Sequence, residues 1–142
     1  MRSSKRSSRE GGFTLIEVLV AVVVVTFGLL GFAALLTKAV VSNRQATQRS
    51  QATILAHDMA ERMRVNRAAA LAGAYNLAID SDPAGASMAG VDLADWVGLI
   101  ADALPGGDGA VSVDGNGNAT ITIQWEERND GQPTTFTTQT AI

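Results

Sequence analysis

One stretch limits what this chain can fold into more than any other. Across residues 13–36 nearly every residue is Val, Leu, Ile, Phe, Ala or Gly, and Glu17 is the only charge. A helix needs about 20 such residues to cross a bilayer core of roughly 30 Å. The run is long enough to span with some tilt. A core helix of a soluble domain shows one apolar stripe, whereas this run is apolar on every face. A secretory signal would place a cut near Gly31-Phe32-Ala33, but the apolar core is too long for one and Glu17 interrupts it. A plain single-pass anchor accounts for the hydrophobicity and leaves Glu17 unexplained.

Glu17 is the anomaly of the run. A carboxylate at mid-bilayer costs a few kcal/mol or more, and an intramembrane ionisable residue calls for a named partner. Glu17 lies about one turn from Phe13, near the end of the span, where the cost is smaller. A free α-amino group on Phe13, produced by cleavage before it, would be cationic below a pKa of roughly 8. Between neighbouring chains shifted along an axis, amine and carboxylate would pair and fix an assembly register.

Ahead of the run, Arg2, Lys5, Arg6 and Arg9 outweigh Glu10. Positive residues flanking a span stay cytoplasmic. The body from Lys38 onward is therefore expected on the other side, in a bacterium the periplasm or the exterior.

Gly12-Phe13-Thr14-Leu15-Ile16-Glu17, behind a short basic leader and ahead of an apolar helix, resembles the type III signal of type IV prepilins and pseudopilins. The resemblance implies cleavage between Gly12 and Phe13 by a prepilin peptidase on the cytoplasmic face. It implies N-methylation of the new Phe13 amine, and it makes Glu17, the fifth mature residue, the assembly carboxylate. Many major pilins carry Pro where this chain has Ala34. Gly28 and Gly31 are the helix-weakening residues of the stem, and their spacing does not make the GxxxG dimer face. They serve either close packing or local melting in an assembled fibre.

Residues 37–72 contain neither Pro nor Gly. Ala52, Leu55, Met59 and Met63 recur at helical spacing, with Ala56 and Ala60 widening the face. Asp58 and Arg62 form an i,i+4 pair in the favourable order, and Gly73 is a stop signal. Stem and helix read as one continuous rod of about 60 residues, roughly 90 Å at the α-helical rise. Residues 75–90 read as a loop with turn signals at Ser81-Asp82-Pro83 and Gly85. Asp92 is the expected cap of a short helix that places Leu93, Trp96, Val97, Ile100 and Leu104 on one face, and Pro105-Gly106-Gly107 ends it. Strands are expected at 110–113, 119–125 and 134–141. The first two flank the turn Asp114-Gly115-Asn116-Gly117-Asn118, and the last two flank Asn129-Asp130-Gly131. Ile121, Ile123 and Trp125 alternate onto one strand face. The fold class is α+β, a long N-terminal helix with a small antiparallel sheet as its head. The expected division is a cleaved leader at 1–12, a membrane and assembly helix at 13–36, its amphipathic continuation at 37–73 and a periplasmic head at 74–142.

Little here points to chemistry. Asp114, Asn116 and Asn118 match the start of a calcium loop, but Ala119 and Trp125 stand where that loop needs Gly and Glu. His57 is the only histidine, too few ligands for a metal site. The sequence shows neither a nucleophile–base motif nor a phosphate-cradling loop. The expectation is no enzyme, no cofactor, no metal and no small-molecule substrate. Beyond Arg67 ten acids face a single base, Arg128, which disfavours generic binding of nucleic acid. Arg44, Arg49, Arg62, Arg64 and Arg67 are expected to be solvated or paired with nearby acids. The chain has no cysteine, so the head must hold by packing, sheet pairing or neighbours.

Gly28-Leu29-Leu30-Gly31, together with Asp58-Met59-Ala60 and Arg62-Met63-Arg64-Val65-Asn66-Arg67, is similar to PilV-type minor pilins, the type IV pilus modification proteins. Trp96, Leu104-Pro105-Gly106-Gly107 and Thr120-Ile121-Thr122-Ile123-Gln124-Trp125 fit that family's middle and end. The resemblance implies a minor pilin that primes fibre assembly with other minor pilins and the major pilin, near the tip. It would sit first in the inner membrane and then in the fibre, supporting twitching or adhesion. A minor pseudopilin of a type II secretion system shares the same stem. A tip adhesin or a DNA-uptake module is the alternative of another class.

Overall fold

The computed structural model describes residues 12–127 and 132–142; residues 1–11 of the expected leader and the turn expected at Asn129-Asp130-Gly131 lie outside them. In chain order the elements are α1 (Leu15–Val65), α2 (Arg67–Leu71), α3 (Met88–Ala103), β1 (Asp108–Val113), β2 (Asn118–Trp125) and β3 (Thr134–Ala141). The α+β class expected from the sequence is the one observed. The chain divides into two units, Met1–Val41 and Ser42–Ile142, and α1 passes through the division without a break.

In the first unit α1 is bare. Its large apolar side chains, from Leu15 to Val41, are all exposed. Helical order continues through Gly28 and Gly31. Thr26 and Thr37 donate their hydroxyls to the carbonyls of Val22 (2.7 Å) and Ala33 (3.1 Å). The two polar groups are therefore satisfied inside their own helix, as an apolar surrounding requires.

The second unit holds one hydrophobic cluster. α1 contributes Ala52, Ala56, Met59, Ala60 and Met63, α3 contributes Leu93, Trp96 and Ile100, and β2 contributes Ala119, Ile121, Ile123 and Trp125. Spacing of three and four on α1 and α3, and of two on β2, turns these residues to a common interior. Each large side chain fully buried there stabilises the head by about 1.5–3 kcal/mol. The Trp96 indole N–H is satisfied as well, donating to the Leu55 carbonyl of α1 at 2.8 Å.

Two helix boundaries differ from expectation. The rod stops at Val65, because Asn66 adopts φ −110°, ψ 46° and the short α2 follows as a separate turn. Asn side chains compete with helical hydrogen bonding, and that of Asn66 donates to the Tyr75 hydroxyl at 3.3 Å. Gly73 does act as the stop. At φ 78° it sends its N–H to the Ala70 carbonyl, while Ala74 bonds that of Ala69, the paired Schellman closure that favours Gly. The second correction concerns α3. It starts at Met88, four residues before the Asp92 expected to cap it, and Ser87 is the cap, accepting from the Gly90 N–H at 3.1 Å.

The sheet order is β1-β2-β3, antiparallel throughout. The turn between β1 and β2 is built by Asp114. Its carboxylate accepts from the backbone N–H of Asn116 (2.9 Å) and Asn118 (2.8 Å) and from the Asn118 amide (2.9 Å). The residues resembling a calcium loop are thus occupied in closing a hairpin. At the start of β1, Gly109 faces the core so closely that a Cβ there would lie 2.5 Å from Trp96 Cζ3 and 2.7 Å from Ile100 Cδ1.

Gly109→Ala should therefore destabilise the head by about 1–3 kcal/mol through overpacking, read as a lower denaturation midpoint. Gly115→Ala, which meets nothing within 4 Å, is the matched control. The Asn118 amide and the backbone donors hold the Asp114 carboxyl below its ordinary value. A depressed carboxyl stabilises the fold above its unfolded pKa of about 3.9 and loses that contribution as pH falls through the folded value. The stability gap between the native chain and Asp114→Ala should be constant above about pH 5 and should close as pH falls below about 4.

Candidate assembly site

The amino-terminal end of the stem is built by Thr14. Gly12, Phe13 and Thr14 precede the helix, and α1 opens at Leu15. The Glu17 N–H reaches the Thr14 hydroxyl at 3.3 Å and its carbonyl at 3.1 Å. Thr14 thus caps the helix, and Thr14-x-x-Glu17 has the spacing of a capping box. The sequence reading missed this signal, which was there to find as a hydroxyl residue three positions before an acid. Glu17 stands in the first turn, where the helix dipole favours a carboxylate. Phe13, just ahead of the helix, and Glu17 line the same exposed surface with Val18, Ala21 and Val22, and Phe13 is 81% exposed. The two residues singled out from sequence therefore share one surface. That surface is open to a neighbouring chain.

Around it the stem carries no cover from the described residues. An 18-residue window of α1 has none of its residues buried, and α1 is long and apolar enough to cross a membrane. A Cβ at Gly28 or Gly31 would meet nothing within 4 Å, so neither glycine is required by packing within the chain.

The arginine-rich motif of the helix turns inward on the head. Arg62 Nε donates to Asp58 at 2.9 Å, and its Nη1 reaches Asp92 of α3 at 3.4 Å. The buried Tyr75 donates its hydroxyl to the other oxygen of Asp92 at 2.5 Å. Burial, then the hydrogen bond to Asp92, raises the Tyr75 pKa above its ordinary value. Burial pulls Arg62 down, but Asp58 and Asp92 together outweigh it and raise its pKa. Arg64 pairs with Glu61 and also reaches β3, donating to the Thr140 hydroxyl (2.8 Å) and the Ala141 carbonyl (3.1 Å). Arg67 donates to the Ile142 carbonyl at 2.9 Å. Arg62 and Arg64 thereby tie α1 to α3 and β3, and Arg67 ties α2 to the residue after β3. Among the described residues no group of three or more His, Cys, Asp or Glu is placed to hold a metal ion.

Comparison with known proteins finds similarity to two families along the first part of the chain. Residues 7–33, which contain Gly12, Phe13 and Glu17, match the prokaryotic N-terminal methylation motif. Residues 34–89 match the Tt1218-like family, described as type IV pilin Tt1218. Neither a curated protein nor a solved structure gives a match. The two family matches adjoin and cover the helix and the start of α3, and residues 90–142 lie outside both.

Proposed function

We infer that this chain is a minor pilin of the PilV type, which joins other minor pilins to prime assembly of a type IV pilus. The observation that carries the reading is the bare stem with Glu17 in its first turn beside Phe13. Prepilin peptidase would cut between Gly12 and Phe13 on the cytoplasmic side, and the Phe13 amine would be N-methylated. The chain would then stand in the inner membrane with its head in the periplasm. On entry into the fibre, Glu17 would be neutralised by a Phe13 amine, and the apolar stems would bundle out of water. Pairing removes the cost of carrying a lone carboxylate among apolar stems. The arginine-rich helix motif favours the pilus over a type II secretion complex. Three of its arginines are engaged within the head, which leaves them a structural role and weakens a DNA-uptake reading. The work of the chain is assembly rather than catalysis.

Glu17→Ala would leave the amine without its partner. At a few kcal/mol for an unpaired charge in that setting, incorporation into pili should fall by roughly tenfold or more, with membrane levels of the chain unchanged. Incorporation and twitching equal to the native chain would remove the assembly role of Glu17. Deleting the whole chain should abolish twitching and leave exoprotein secretion intact. Lost secretion with normal motility would assign it instead to a type II secretion pseudopilus.

A further inference from the structure

The two edges of the sheet are treated differently. In an antiparallel ladder successive residues turn their N–H and C=O alternately toward one neighbour and the other. On β1, Asp114 N–H bonds to Asn118, so Gly109, Val111 and Val113 face outward. That edge is closed. Val111 exchanges two hydrogen bonds with Leu77, at 2.8 and 2.9 Å, and the Val113 N–H donates to the Asn76 side chain at 2.8 Å. Beside them the Asp108 carboxylate accepts from the Asp80 N–H at 2.6 Å.

On β3 the alternation runs from the other end. Ile142 N–H bonds to the Gly117 carbonyl, so Ala141 faces away from β2, and with it Gln139, Thr137 and Thr135. The Ala141 carbonyl is taken by Arg64, and Pro133, which has no N–H, stands before the strand. Between these two stops the backbone groups of Thr135, Thr137 and Gln139 bond to nothing among the described residues. Sheet proteins blunt such edges with charge, Pro or bulges. β3 reads Thr-Thr-Phe-Thr-Thr-Gln-Thr-Ala, pairs with β2 over all eight residues and carries no charge.

We propose that the open edge of β3, at Thr135, Thr137 and Gln139, is the docking edge for an uncharged extended strand from the head of a different pilin. Addition of a strand satisfies a row of free N–H and C=O groups together. A second copy added head to tail does not supply that strand. Set alongside in the same direction, it offers its β1 edge, and that edge is already closed by Leu77 and Asn76. Repetition of the sheet from copy to copy would need both edges open. The head is thus open on one side and closed on the other, as suits a subunit that joins a hetero-complex rather than a repeating one. This deepens the minor-pilin reading and rests on it.

The test places a photo-crosslinking amino acid at Thr137, or at Ser112 on the closed edge as a control, in the full chain expressed in cells with all their pilins. The expected result is an adduct at Thr137, and not at Ser112, whose linked peptide maps by mass spectrometry to a strand in another pilin's head. An adduct to a second copy, to a protein that is not a pilin, or at the same level from both positions overturns the proposal. Thr137→Pro is the companion variant. Its N–H faces outward, so the β2–β3 ladder keeps its bonds and the melting midpoint of the full chain in detergent should stay within a few degrees. Recovery of the partner with Thr137→Pro should fall to background; recovery equal to the native chain overturns the proposal. Presence of the native chain in sheared pili is scored separately. Its absence there would remove the minor-pilin reading, whereas its presence with no adduct at Thr137 removes the edge alone.

Discussion

The structure depends on an apolar surface that the chain cannot cover by itself. From Leu15 to Val41 the large side chains of α1 are exposed all round. Water does not tolerate a contiguous patch of that size without a partner. A bilayer satisfies the helix, because all its backbone bonds are internal and the hydroxyls of Thr26 and Thr37 are bonded to it. A bundle of like stems satisfies it equally well. On the proposed reading the stem passes from lipid to fibre with no change in its own hydrogen bonding, and Glu17 is the charged group whose surroundings change.

The head solves a different problem. It must stay folded on a small core with no disulfide available. It does so by letting the lower part of α1, α3 and the sheet share one cluster, with Trp96 bridging to the α1 backbone. Around the rim, Arg62, Arg64 and Arg67 reach from the helices to α3 and to the end of β3. Pairs of this kind, partly exposed, are worth about 1 kcal/mol or less each. Their value lies in fixing where β3 ends, and the core supplies most of the stability.

What the sequence made legible followed from local period. Alternation at Ile121, Ile123 and Trp125 located β2 and its buried face, and the helical spacing of Leu93, Trp96 and Ile100 gave the face of α3. Gly73 read correctly as a stop because a positive φ is a glycine property. The misreadings involve competition between neighbours. Asp92 looked like a cap, yet Ser87 lies earlier and takes that role, which frees Asp92 for Tyr75 and Arg62. Asn66 looked like one more helical residue, and only its bond to Tyr75, nine positions on, shows why the helix breaks there. Thr14 was seen as part of a cleavage signal, and its capping of Glu17 went unread. The closing of β1 by Leu77 and Asn76 spans more than thirty residues, and no local pattern announces a contact of that kind.

The central claim is that this chain is matured as a pilin, with Phe13 as its working N-terminus. The most direct measurement is the mass of its N-terminal peptide from cells with and without prepilin peptidase. The account predicts an N-methylated terminus at Phe13 that appears only when the peptidase is present. A terminus at Ala34, or an intact leader from Met1 in both strains, would contradict it.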